Sequence, residues 1–121
     1  MNSGTYQLYI HVKKDLKIKV GSLGVCFFPK GLYNYTGSAM KNLEQRIARH
    51  KSKVKKIHWH IDYLLTSKST EIIKVRKYPS TERKECYYNQ KMTRKKGAFI
   101  PVKGFGSSDC RECESHLVGI R

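Results

Sequence analysis

A chain of 121 residues, 39% hydrophobic and 28% charged, suffices for one core and is too short for two, so residues 1–121 are expected to form a single domain and not a disordered tail. Lys and Arg number 25 against 9 Asp and Glu, a formal +16, which points to a polyanionic partner that relieves the self-repulsion, nucleic acid before any other. No apolar run approaches the roughly 18 residues of a membrane span, and Met1-Asn2-Ser3-Gly4 lacks a basic-then-apolar start, so the expectation is a cytoplasmic protein with no membrane partner.

Residues 4–12 (GTYQLYIHV) alternate with period two, which puts Tyr6, Leu8, Ile10 and Val12 on one face of a strand. Lys13-Lys14-Asp15 reads as a turn. Leu16, Ile18 and Val20 alternate with lysines as a second strand, and the two strands are predicted to form a hairpin. Gly21 and Gly24 interrupt it. Residues 24–29 (GVCFFP) resume as an extended segment, and 31–37 (GLYNYTG) as a short strand.

From Met40 the spacing of Leu43 and Ile47 becomes helical. With Ser38 as a cap, it predicts an amphipathic helix over 39–50. Residues 51–56 form a basic loop or frayed helix end, and HIDYLL (60–65) fits either a strand or a helix. EIIKVRKY (71–78) is a strand, and Ser80-Thr81-Glu82 starts a helix that runs to Lys91. After the basic turn MTRKKG comes an ordered loop and a short last strand, HLVGI. The fold class is α/β, a small mixed or antiparallel sheet flanked by helices.

Gly4-Thr5-Tyr6 opens the first strand, and Tyr35-Thr36-Gly37 closes the strand before the first helix. Arg46 and His50 on that helix are four apart and share a face. Two phenols, a guanidinium and a helix N-terminus around one spot suit phosphodiester cleavage. That chemistry needs a base for water, a cation for the charge on phosphorus, and a metal ligand.

These segments, with RIARH, HWHIDYLL, ECYY and GFGSSDC…SHL, span residues 4–117 and resemble the GIY-YIG nuclease family. More closely they resemble its branch that occurs alone or appended to endonuclease-III-type repair enzymes. The resemblance implies a DNA endonuclease of repair or processing that uses Mg²⁺ or Mn²⁺, with DNA as the partner and RNA second. It makes Tyr6 and Tyr35 the motif tyrosines, one of them a general base. Arg46 becomes the transition-state cation, Glu85 the metal ligand with Glu82 as the alternative, and His50 a neighbour of the site. Tyr6 and Tyr35 stand farther apart than the family's pattern, so it also implies a hairpin inserted over 13–30. Arg83 and Lys84 replace apolar framing before Glu85, which keeps open a non-catalytic nucleic-acid-binding module on the same scaffold.

Three further groups stand out. Arg49, Lys51, Lys53, Lys55, Lys56, Lys91, Arg94, Lys95 and Lys96 are the expected phosphate contacts. His58 and Asp62 share a face in a strand or a helix, which predicts either an Asp-oriented histidine supporting the site or a buried His–Asp hydrogen bond beside Trp59. Cys86, Cys110, Cys113 and His116 match Zn²⁺ in softness, while free or disulfide-bonded cysteines account for them equally well.

Overall fold

The computed structural model describes residues 1–107 and 112–120. In chain order its elements are β1 (Gly4–Val12), β2 (Leu16–Lys19), β3 (Val25–Phe28), β4 (Gly31–Ala39), α1 (Leu43–Lys51), α2 (His60–Leu65), β5 (Thr70–Pro79), α3 (Glu85–Thr93) and β6 (Leu117–Ile120). A four-stranded antiparallel sheet runs in the order β5-β1-β4-β6, and β2 and β3 form a separate two-stranded sheet. This is the expected α/β class, and the small sheet lies within the expected insertion at 13–30. None of the described helices is long and apolar enough to cross a membrane.

The first strand is central, which the predicted β1–β2 hairpin did not anticipate. β1 pairs with β4 on one side and β5 on the other, and β2 pairs only with β3. Strand alternation sets which side chains go inward. The choice of partner depends on long-range burial, and here Tyr33 and Tyr35 of β4 lie beside Ile10 and Leu8. Directly paired residues share a face, so Tyr6, Leu8, Ile10, Tyr33 and Tyr35 make one apolar face. It packs in a core with Leu43, Ile47, Ile61, Leu64 and Phe105.

The opposite face of β1 and β4 carries Thr5, Gln7, Asn34, Thr36 and Ser38, all buried. Buried polar groups need partners, and these supply one another except at Asn34 Nδ2, which has none among the described residues. Gln7 Nε2 donates to Thr36 Oγ1 at 3.2 Å and to Asn34 Oδ1 at 3.4 Å, and Thr5 and Ser38 hydroxyls lie 3.2 Å apart. α3 covers this face, with Tyr88 stacked on Tyr78 at 3.9 Å between ring centroids. The alternation of β1 therefore separates an apolar layer from a polar one, and both are buried.

Helix boundaries shift from their predicted places. Ser38 caps nothing, because β4 continues through Ala39 and α1 starts at Leu43 after Asn42 in a left-handed conformation (φ 58°). HIDYLL is a helix. Asp62 Oδ2 accepts the backbone N–H groups of His58 and Trp59 at 2.8 and 2.9 Å, which satisfies donors at the helix start. α3 begins at Glu85, not at 80–82. The Ser80 hydroxyl accepts the Glu82 N–H at 3.0 Å and closes a local turn there.

Candidate active site

β1 and β4 bring the two motif tyrosines together. Tyr6 pairs across the strands with Gly37, and a Cβ on Gly37 would lie 2.7 Å from Tyr6 Oη. Only glycine lets the Tyr6 ring lie flat across its partner strand at that position. Tyr6 Oη then reaches Nε2 of His50 on α1 at 2.8 Å. Both side chains are buried, with 2% of each residue exposed.

Burial sets the protonation of this pair. Tyr6 is pushed up to about 12, against the opposing influence of the Arg46 guanidinium. Tyr35 is pushed up further, again by burial, with Tyr6 and Asp62 adding to it. His50 is brought down to about 4 by burial, assisted by Lys55, whose ammonium donates to the His50 carbonyl at 2.8 Å. At neutral pH the two phenols and the imidazole are all uncharged.

The lowered value of His50 has a measurable consequence. Below pH 6.5 the unfolded chain protonates this histidine and the folded chain does not, so stability falls as pH drops from 6.5 towards 4. This one group should cost about 2 kcal/mol between pH 7 and pH 5. His116, also lowered by burial, contributes with the same sign. Urea unfolding at the two pH values checks this, and His50→Gln should remove most of the difference. Equal midpoints for the parent chain would refute the buried neutral histidine.

Arg46 and Glu85 complete the site through Ser38. Arg46 Nη1 donates to the Ser38 carbonyl at 2.9 Å, and the Ser38 hydroxyl donates to Glu85 Oε2. Arg46 and Arg49 each hold their guanidinium 4.7 Å from the Trp59 ring centroid. Arg49 forms a two-pronged pair with the buried Asp62 carboxylate at 2.9 and 3.0 Å. That pairing, with two backbone N–H bonds, holds Asp62 below the ordinary carboxylate range although its burial acts in the opposite direction.

The result is a cleft of about 320 Å³ lined by Tyr6, Tyr35, Ser38, Arg46, Trp59, Glu85 and His116, with His58, His60, Arg83 and Gly106 around it. His60 accepts the Gly106 N–H at Nδ1, 2.9 Å away. Among the described residues Glu85 is the one carboxylate lining this cleft. A single carboxylate whose remaining partners would be water and phosphate oxygens is a donor set that suits Mg²⁺ or Mn²⁺.

The predicted residues separate into those that converge and those that do not. Tyr6, Tyr35, Arg46 and Glu85 line the cleft, with His50 directly behind Tyr6. Glu82 is exposed and does not line the cleft, because the helix that would have carried it starts later. The His58 ring makes no pair with Asp62. It sits edge-on to Trp59 at 4.6 Å, and only its backbone N–H meets Asp62.

Several cations expected on phosphate are engaged within the fold. Arg49 holds Asp62 and the Lys56 carbonyl. The Lys53 ammonium donates to the Leu65, Ser67 and Thr70 carbonyls, and Lys55 to that of His50. Lys51, Lys56, Lys91, Arg94, Lys95 and Lys96 are exposed. Cys86, Cys113 and His116 cluster, while Cys110 lies outside the described residues. Ser38 was expected only as a helix cap, and His60 and Gly106 had no role in the sequence reading. Their parts depend on contacts between distant segments that no local spacing announces.

Residues 5–121 match the family described as Domain of unknown function DUF123. The chain belongs to that family. The match takes in every cleft residue named above. No curated protein and no solved structure matches the chain.

Proposed function

We propose that this domain is a divalent-metal-dependent DNA endonuclease of the GIY-YIG type, acting in DNA repair or processing within the cytoplasm. The observation that carries the reading is the convergence of Tyr6, Tyr35, Arg46 and Glu85, from four different elements, on one cleft. Packing alone gives no reason to bring an arginine, a glutamate and two buried phenols together.

The groups divide the work by their chemistry. Arg46 is held on the Ser38 carbonyl and beside Trp59, and its remaining N–H donors face the charge that grows on phosphorus during attack. Tyr6 is neutral at rest, so it acts as a base by passing its own proton to His50 Nε2 while taking one from water. The charge of an arriving phosphate raises the proton affinity of His50 and favours that transfer. Tyr35 is the alternative base. Glu85, oriented by the Ser38 hydroxyl, would hold Mg²⁺ or Mn²⁺, which supplies charge neutralisation at the leaving 3′-oxygen when bound.

Incubating the chain with supercoiled plasmid and branched DNA in Mg²⁺, Mn²⁺ or chelator tests this. Metal-dependent nicking is expected. DNA binding without cleavage under all three conditions would support the second reading, a non-catalytic nucleic-acid-binding module, which is favoured by the high pKa of Tyr6 and by the single carboxylate that lines the cleft among the described residues.

Both readings require electrostatic binding, with DNA ahead of RNA. If Lys51, Lys56, Arg94, Lys95 and Lys96 neutralise about five phosphates, log K should fall against log[salt] with a slope of roughly −4 to −5. Lys56→Glu and Lys95→Glu should weaken all sequences alike and flatten the slope. Fluorescence anisotropy over a salt series measures both. Affinity that does not change with salt would count against a phosphate-binding surface. Lys53→Glu should act on stability instead, because its ammonium holds three carbonyls.

A further inference from the structure

We infer that Cys86, Cys113 and His116 form a zinc site that staples the first turn of α3 to the segment leading into β6. The inference does not depend on the nuclease reading. A sulfur from each cysteine and a ring nitrogen of His116 all lie within 4.8 Å of one another. In a tetrahedral zinc site, bonds of about 2.3 Å to sulfur and 2.0 Å to nitrogen place ligand atoms roughly 3.5–3.8 Å apart. Small side-chain rotations close that difference.

Two observations raise this group above a chance cluster. His116 is only 6% exposed, and among the described residues its Nε2 has no hydrogen-bond partner. A buried imidazole nitrogen without a partner is costly, and a metal bond would satisfy it. Asn34 Nδ2, His50 Nδ1 and Asn89 Oδ1 are also without a partner among the described residues, but of these four residues His116 alone stands beside two cysteine sulfurs. Its backbone is also fixed on both sides. The His116 N–H donates to the Phe105 carbonyl at 2.9 Å, and its carbonyl accepts the Thr36 N–H at 3.1 Å. A ligand held this way is already in place before metal arrives.

The donor set selects the ion. Two sulfurs and an imidazole suit Zn²⁺ and disfavour Mg²⁺, which demands oxygen ligands. On binding, the two thiols lose their protons to solvent, and the resulting thiolates balance the charge of the zinc. The seam is already joined by Asn89 on α3, whose Nδ2 donates to the Ser115 carbonyl at 2.6 Å. Cys86 directly follows Glu85, and His116 lines the cleft. Zinc would therefore fix the backbone that presents the cleft's carboxylate.

The test uses the full chain, reduced and stripped of metal, then titrated with Zn²⁺ against a chromogenic chelator and weighed by native mass spectrometry. One zinc per chain is expected, unaffected by excess Mg²⁺. Cys86→Ser, Cys113→Ser and His116→Gln should each weaken zinc binding at least about 100-fold. Co²⁺ titrated into the unaltered chain should give thiolate charge-transfer bands and tetrahedral visible bands, a result that does not require any variant to fold. Glu85→Gln should keep its zinc whether or not the domain cuts DNA, so failure here and failure of the nuclease reading are distinguishable. No stoichiometric uptake by the reduced chain, Co²⁺ spectra without thiolate bands, or uptake indifferent to all three substitutions would overturn the site.

Discussion

Arg46→Ala is expected to lower metal-dependent nicking by about 10² to 10³ while DNA affinity changes little, because the proposed mechanism matches its charge to the transition state and not to bound substrate. The alanine chain also releases the Ser38 carbonyl and removes one guanidinium from Trp59. Circular dichroism and a melting curve should therefore accompany the rate. Glu85→Gln keeps size and removes charge. It should be comparably impaired, with partial recovery in excess Mn²⁺. Single-turnover rates against DNA affinity separate the effects: a loss confined to the rate supports transition-state roles, and equal losses in both would assign these groups to binding. Tyr6→Phe and Tyr35→Phe should differ, the larger loss marking the base. If the parent chain shows no nicking and the four variants change only stability, the catalytic assignment is wrong.

Asp62→Ala should be among the most destabilising single substitutions in the chain, costing about 3 kcal/mol. Asp62 is fully buried and holds four partners: two guanidinium N–H groups of Arg49 and the backbone N–H groups of His58 and Trp59. Truncation leaves those donors unmet and Arg49 without its counter-charge. The Arg49 side chain keeps 29% of its surface exposed, and its partial access to water sets the expectation at the lower end for a broken buried pair. Trp59 would lose its anchorage, and with it the aromatic neighbour of Arg46, so the cleft should suffer beyond the loss of stability. A shifted urea midpoint with unchanged slope measures the cost. A shift worth less than about 1 kcal/mol would show that the network contributes little.

What was legible in the sequence followed from local rules. The alternation of Tyr6, Leu8, Ile10 and Val12 and the helical spacing of Leu43 and Ile47 determine which face turns inward, because side-chain direction repeats with the backbone. The basic balance is a property of composition alone. The order Tyr6, Tyr35, Arg46, Glu85 was readable through resemblance, and the fold brings those four into one cleft.

Tertiary structure decided the rest. β1 chose β4 and β5 over its neighbour β2, since strand partners are selected by burial across the whole core. HIDYLL became a helix because Asp62 met the N–H groups before it and Arg49 on another helix. Ser38, expected to cap a helix, links Arg46 to Glu85 instead. Arg49, Lys53 and Lys55 look no different in the sequence from the other basic residues, yet their side chains are bound to acceptors of the fold. Composition sets how many charges a chain carries. Where each one is neutralised depends on carbonyls and carboxylates that come near only when the chain has folded.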